Sequence, residues 1–277
     1  MGKIAQEVHP GTYIYTIRIS DNSDDDRKAT FWGNATIHIE EVCEALASHP
    51  VLSKASAVNA LGFSQGGLFL RSYVERCNNP PVRNLITFGS PHNGIVDYIP
   101  CKDGDWLCKG AMALLHSNTW SGFVQSNVIP AQYYRDLNPE TGFGSENYLL
   151  YSNWLADINN EREDKNETYK ANLASLERLV MYKFDEDTTV IPSESEWFDE
   201  VNPATLEVLP LKSRPIYTED WIGLKKLDEK GGIVFKIAPG QHMHITRELL
   251  EETFKEFYGP TQMPLEVSDS MQETLEL

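Results

Sequence analysis

Hydrophobic and polar positions change period several times along the chain, and each change marks an element. Residues 11–19, from Gly11-Thr12-Tyr13-Ile14 to Arg18-Ile19, alternate every second position and are rich in β-branched and aromatic side chains, which predicts a strand. After the acidic run 21–26, Ile37, Val42, Cys43, Leu46 and Ala47 recur at helical spacing, and Pro50 bounds that helix. The short apolar run 57–63 predicts a buried strand. It leads into Leu68, Phe69, Tyr73 and Val74, the apolar face of a helix that ends near Asn78-Asn79-Pro80. Residues 85–88 predict another strand, closed by Gly89-Ser90-Pro91. Strand and helix in this alternation predict a mostly parallel sheet with helices on its faces.

From about residue 93 to 178 the rhythm lapses. Helical patches such as 111–115, together with Trp106, Trp120, Phe123, Tyr133, Tyr134 and Trp154, predict a helical insert, because linkers are not this aromatic. Strands are expected again at 179–184 and 233–237. The stretch 259–277 is acidic and polar and is expected to be a disordered tail, leaving 1–258 as a single α/β domain.

Composition narrows the partners. Apolar residues make up 41% of 277, enough for a sizeable core. The charge of −17 repels phosphate backbones and argues against nucleic-acid binding. No run approaches the length of a membrane span. Cys43, Cys77, Cys101 and Cys108 show no metal-ligand spacing, so no metal site is expected. Their even number and the sequons at Asn34 and Asn166 lean towards the secretory route, whereas Met1-Gly2-Lys3-Ile4 opens no apolar signal core.

Gly62-Phe63-Ser64-Gln65-Gly66 is a G-x-S-x-G pattern placed where a buried strand gives way to an amphipathic helix. The pentapeptide alone arises by chance in roughly one chain in ten of this length; the strand-to-helix context is what points to a nucleophile elbow. Crowding in so tight a turn is expected to explain both Gly62 and Gly66. The elbow would raise the Ser64 hydroxyl above the sheet and aim the Gln65 backbone amide at a developing oxyanion. A serine nucleophile needs a base and an acid, in the chain order Ser, Asp or Glu, His. Asp187 and His242 follow expected strand ends, and Asp185, Glu186 and His244 are close rivals. His92, just past the strand ending at Phe88, is a candidate for lining the pocket or for stabilising its own turn.

These residues resemble the palmitoyl-protein thioesterases, closest to the lysosomal type 1 group, over nearly all of 1–258. Beyond the elbow, the resemblance rests on Leu155-Ala156-Asp157-Ile158-Asn159-Asn160-Glu161-Arg162, on Asn166 to Lys170, on Ser195-Glu196-Trp197-Phe198, and on Tyr217 to Lys225. It implies an α/β-hydrolase fold with catalytic Ser64, Asp187 and His242, disulfides Cys43–Cys77 and Cys101–Cys108, and glycosylation at Asn166, with Asn34 the second sequon. It also implies a lysosomal or secreted enzyme that needs no cofactor and acts on long-chain acyl thioesters of S-acylated proteins or peptides, with the insert as acyl groove. Two departures stand out. The turn 89–94 differs in detail, and the family's first strand and His-Gly loop, with a second oxyanion donor, have no counterpart before Met1. The expectation is therefore a chain that starts at an internal methionine and is weakly active as written. Two other readings use the same residues: a lipase or carboxylesterase acting on oxygen esters, and a catalytically impaired acyl-binding fragment.

Overall fold

The computed structural model describes residues 1–97, 101 and 103–259. Its strands, in chain order, are β1 (Val58–Phe63), β2 (Val82–Phe88), β3 (Arg178–Phe184), β4 (Glu200–Val201), β5 (Val208–Leu209) and β6 (Ile233–Ala238). Among the described residues β4 and β5 form a small antiparallel ribbon, and the other four make one parallel sheet in the order β1-β2-β3-β6. One row across it pairs Leu61 with Ile86, Ile86 with Val180 and Val180 with Val234. β2 buries every residue except Arg83, the near-continuous apolar run expected of a strand covered on both faces.

The helices beside the sheet follow from their sequence. Asn34 caps the helix Ala35–Ser48 by accepting from the Thr36 and Ile37 amides, and Ile39, Val42 and Leu46 make its buried stripe. The helix Gln65–Arg76 buries Leu68, Tyr73 and Val74. Each such side chain contributes about 1.5–3 kcal/mol. Cys43 and Cys77 tie the two helices with Cα atoms 6.0 Å apart, and Cys101–Cys108 spans 5.8 Å, both within the reach of a disulfide.

Between β2 and β3 the described chain is mostly short helices, among them Trp106–Asn118, Gly122–Asn127, Glu146–Tyr151 and Glu167–Ser175. Tyr148, Trp154, Leu155 and Ile158 pack there with Ile39 and Leu68 in one apolar cluster. Two buried bonds fix this segment to the helix Gln65–Arg76: Trp154 Nε1 donates to Ser72 Oγ at 2.8 Å, and Arg71 donates to Asn159 Oδ1 at 2.7 Å. Nearby, Arg135 binds Glu161 at 3.0–3.2 Å and Glu200 at 2.5 Å, and Arg214 binds Glu200 at 3.0 Å. Tyr148 and Asn159 donate to Glu161 as well. The stretch 155–162 that carries much of the resemblance is thus buried scaffolding.

One expected element is corrected. Residues 11–19 form no strand: Tyr13, Ile14 and Tyr15 are exposed, and only Ile17 and Ile19 turn towards the core. The alternation marks a surface with one apolar side, but a strand also needs a partner ladder, and no described strand pairs with this segment. The Ile19 amide is instead satisfied by Asp26 at 2.7 Å.

The chain divides into two compact units, Tyr15–Thr246 and a smaller one made of Met1–Ile14 with the residues from Arg247 onwards. In the smaller, the helices Gly2–Val8 and Arg247–Phe257 pack around Ala5, Leu250 and Phe254, with His9 Nε2 donating to the Phe254 carbonyl at 2.8 Å. Of the expected acidic tail 259–277, residues 260–277 lie outside the described residues.

Candidate active site

Parallel strands put their C-terminal ends on one edge, and four loops meet there. Ser64 directly follows β1, Gly89 follows β2, Asp187 lies three residues past β3, and His242 lies four past β6.

Ser64 is the turn residue between β1 and the helix Gln65–Arg76, with φ 49° and ψ −128°, a left-handed backbone that a non-glycine residue adopts only under constraint. Its amide bonds the Phe88 carbonyl at 2.7 Å. A Cβ on Gly62 would lie 2.5–2.7 Å from backbone atoms of Gly66 and Gly67, so Gly62 is glycine because the turn is tight. Gly66 is not: a Cβ there meets open space. The crowded neighbour is Gly67, where a Cβ would overlap Ser90 Oγ and come within 2.9 Å of Thr87. Gly62→Ala and Gly67→Ala are therefore expected to lower soluble yield and melting temperature. Gly66→Ala should hold or raise melting temperature, since alanine favours a helix by about 1 kcal/mol over glycine. Equal losses in all three variants would contradict this.

His242 Nε2 lies 3.0 Å from Ser64 Oγ, and its Nδ1 lies 2.5 Å from Asp187 Oδ2. Asp187 has no exposed side-chain surface and His242 keeps 12%. Asp187 Oδ1 accepts the Thr189 and Val190 amides at 2.7 and 3.0 Å. Burial pushes this carboxyl upward, but the hydrogen bonds from His242, Val190, Glu196 and Thr189 outweigh it and hold it below the usual aspartate value. The imidazole stands against Phe184, ring centres 5.9 Å apart, and a Cβ on Gly89 would come within 2.9 Å of it.

The rivals sit elsewhere. Asp185 Oδ1 accepts the Gly240 amide at 2.7 Å and so clamps the loop that carries His242. Glu186 joins that loop through its backbone, its amide bonding the Gly240 carbonyl at 3.1 Å. His244 is exposed, its Nδ1 facing the Pro239 carbonyl at 3.2 Å. His92 is fully buried, its Nε2 3.0 Å from Thr87 Oγ1 and its ring stacked on Phe198. Burial, aided by the charge of Arg71, holds it well below the usual histidine value, so it stays neutral inside its turn. Gln65 opens the helix, where its amide has no carbonyl four residues back within the helix to bond.

The sequence profile described as "Palmitoyl protein thioesterase" matches residues 1–242. The chain belongs to that family. It is 37% identical to palmitoyl-protein thioesterase 1 of Caenorhabditis elegans, over 90% of this chain and 81% of the relative. It is 33% identical to palmitoyl-protein thioesterase 3 of Dictyostelium discoideum, over 92% and 83%. A lysosomal thioesterase PPT2 homolog of Drosophila melanogaster is 28% identical over 89% and 82%. The thioesterase has the α/β-hydrolase arrangement of parallel strands, flanking helices and strand-to-helix turn at the serine. Among the described residues no metal-ligating cluster occurs, and no helix is long and apolar enough to cross a membrane. A cavity of about 290 Å³ is lined by Arg135, Phe143, Leu149, Val208 and Trp221 among others, and includes none of Ser64, Asp187 and His242.

The groups that sequence reasoning missed are Gly89, Phe184 and Glu196. Glu196 stood in a stretch of resemblance, but nothing in its local pattern marks a buried carboxyl beside Asp187.

Proposed function

We propose that this thioesterase hydrolyses long-chain, palmitoyl-type thioesters on cysteines of S-acylated proteins or peptides, with Ser64 as nucleophile, His242 as base and Asp187 as the acid that orients it. The observation that supports this is the continuous chain from Ser64 Oγ to His242 Nε2 at 3.0 Å and from His242 Nδ1 to Asp187 Oδ2 at 2.5 Å. Ser64 attacks the thioester carbonyl while its proton passes to His242 Nε2; the oxyanion takes the Gln65 amide; His242 returns the proton to the departing cysteine sulfur. A water, deprotonated by the same imidazole, then releases the fatty acid from the acyl-serine. No metal or cofactor enters these steps. The aromatic segment between β2 and β3 supplies the apolar groove, where each buried methylene contributes about 0.8 kcal/mol and sets chain-length preference. The setting is lysosomal or secreted, with glycans on Asn34 and Asn166, each of which caps a helix through its carboxamide oxygen.

The test is labelling by a fluorophosphonate probe alongside hydrolysis of palmitoyl-thioester and p-nitrophenyl-ester substrates. Labelling at Ser64 with faster thioester turnover is expected; preference for the oxygen ester would point to a carboxylesterase, and no labelling to an acyl-binding protein. A finer prediction separates the neighbouring acids. Asp187→Asn should lower kcat by on the order of 10⁴-fold, and Asp185→Ala far less, because it loosens only the loop. The reverse ranking in folded proteins would reassign the acid.

A further inference from the structure

Glu196 takes no part in the steps above, yet it is placed against them. It lies on the turn Ser193–Trp197 that follows β3, has 1% of its surface exposed, and sits against the Asp187 carboxylate. Its Oε2 accepts the Phe184 amide at 3.3 Å. No N–H or O–H donor among the described residues bonds its Oε1. The cation facing it is Lys183, whose ammonium rests over the Trp197 ring at 4.7 Å. Two ionised carboxylates in contact repel, and two groups that only accept hydrogen bonds cannot satisfy each other. One proton removes both difficulties. Asp187 does not hold it, because its neighbours already donate to both of its oxygens: His242 Nδ1 to Oδ2, and the Thr189 and Val190 amides to Oδ1.

We propose that Glu196 is kept as the neutral acid and donates a hydrogen bond to Asp187, completing the donors around that carboxylate and fixing its orientation towards His242. The inference rests on the triad reading and makes Glu196 a positioning residue acting through Asp187. Burial, then the hydrogen bond to Asp187 and that residue's charge, push the Glu196 carboxyl up to about 10, against the pull of the Phe184 amide and Lys183. The electrostatic consequence is that one negative charge rather than two faces the imidazole. A second would favour the imidazolium and hinder return of its proton to the leaving sulfur.

The experiment compares Glu196→Gln and Glu196→Leu with the wild type. A carboxyl that keeps its proton in the fold stabilises it fully below the unfolded value of about 4.3, and that contribution is lost as pH rises towards the folded value. Glu196→Gln has no such proton. Its melting temperature minus that of the wild type should therefore grow from about pH 5 to about pH 8, by up to about tenfold per pH unit in the folding equilibrium. Asp187, Lys183 and His242, which face the site, are present in both proteins and largely cancel. In activity, Glu196→Leu should lose on the order of 10- to 100-fold in kcat with KM little changed, and Glu196→Gln, isosteric and still a donor, should recover most of it. A stability difference that is flat in pH would overturn the neutral acid. Glu196→Gln as impaired as Glu196→Leu would overturn the positioning role. Should Ser64→Ala keep turnover, the triad reading falls instead, while the stability arm, which needs no substrate, still decides where the proton is.

Discussion

Ser64→Ala is expected to lower palmitoyl-thioester hydrolysis by at least about 10⁴-fold while moving the melting temperature by no more than about 2 °C. The hydroxyl's one bond among the described residues is to His242 Nε2, so its removal leaves no buried group newly stranded. Alanine occupies the same left-handed backbone with the same Cβ, and the contacts that shape the turn belong to Gly62 and Gly67. Loss of the fluorophosphonate label should accompany loss of turnover. Calorimetry and initial rates on the same preparation check both halves. Hydrolysis above about one hundredth of the wild-type rate, with the label retained, would move the nucleophile elsewhere.

Glu161→Ala should be the most damaging single change to the fold. Glu161 accepts from Arg135, from the Tyr148 hydroxyl at 2.7 Å and from Asn159 at 2.9 Å, in a cluster where Arg135 keeps 3% of its side chain exposed and Glu161 5%. Removing one member leaves Arg135 and Arg214 sharing Glu200 alone, a buried excess of positive charge. Breaking such a pair costs about 3–5 kcal/mol, a fall of roughly 6–20 °C in melting temperature for a chain of this size. Acid should act in the same direction. Burial raises the Glu161 carboxyl, but Arg135, with Arg214 and Asn159, more than compensates and holds it below its usual value. Its contribution is present above the unfolded value of about 4.3 and is lost as pH falls through the folded one. Melting curves down the acid range should show wild type and Glu161→Ala converging. Parallel curves would mean that the carboxylate carries little of the stability.

Much of the sheet was legible because its strands are short apolar runs bounded by Gly, Pro and Asn, and a strand covered on both faces has no other pattern to show. Residues 11–19 misled because period-2 alternation reports one apolar side and says nothing about a partner. The spacing of Ser64, Asp187 and His242 could be read in the chain, yet choosing Asp187 over Asp185 needed the family resemblance. Both acids follow the same strand, and only the geometry separates the one facing His242 Nδ1 from the one clamping Gly240. Gly66 was misread because G-x-S-x-G suggests that its second glycine is needed by the turn, whereas the crowding falls one residue later on Ser90. Glu196 was illegible as a buried neighbour of Asp187: a glutamate in a polar turn looks solvated until tertiary packing buries it.

The short segment 87–90, the end of β2 and the turn that follows it, serves several parts at once. Ser90 and Thr87 press on Gly67 behind Ser64, the Phe88 carbonyl holds the Ser64 amide, and Gly89 leaves room for the His242 ring. For laboratory evolution this divides the chain into ground to leave alone and ground to explore. A library randomised over 87–90 would lose most of its members to a misplaced Ser64 and His242 together, whatever substrate it was selected for. Diversity spread over the exposed apolar positions between β2 and β3, such as Phe123, Phe143 and Leu150, leaves that junction untouched. Under the proposed acyl groove, new substrate ranges are best sought there.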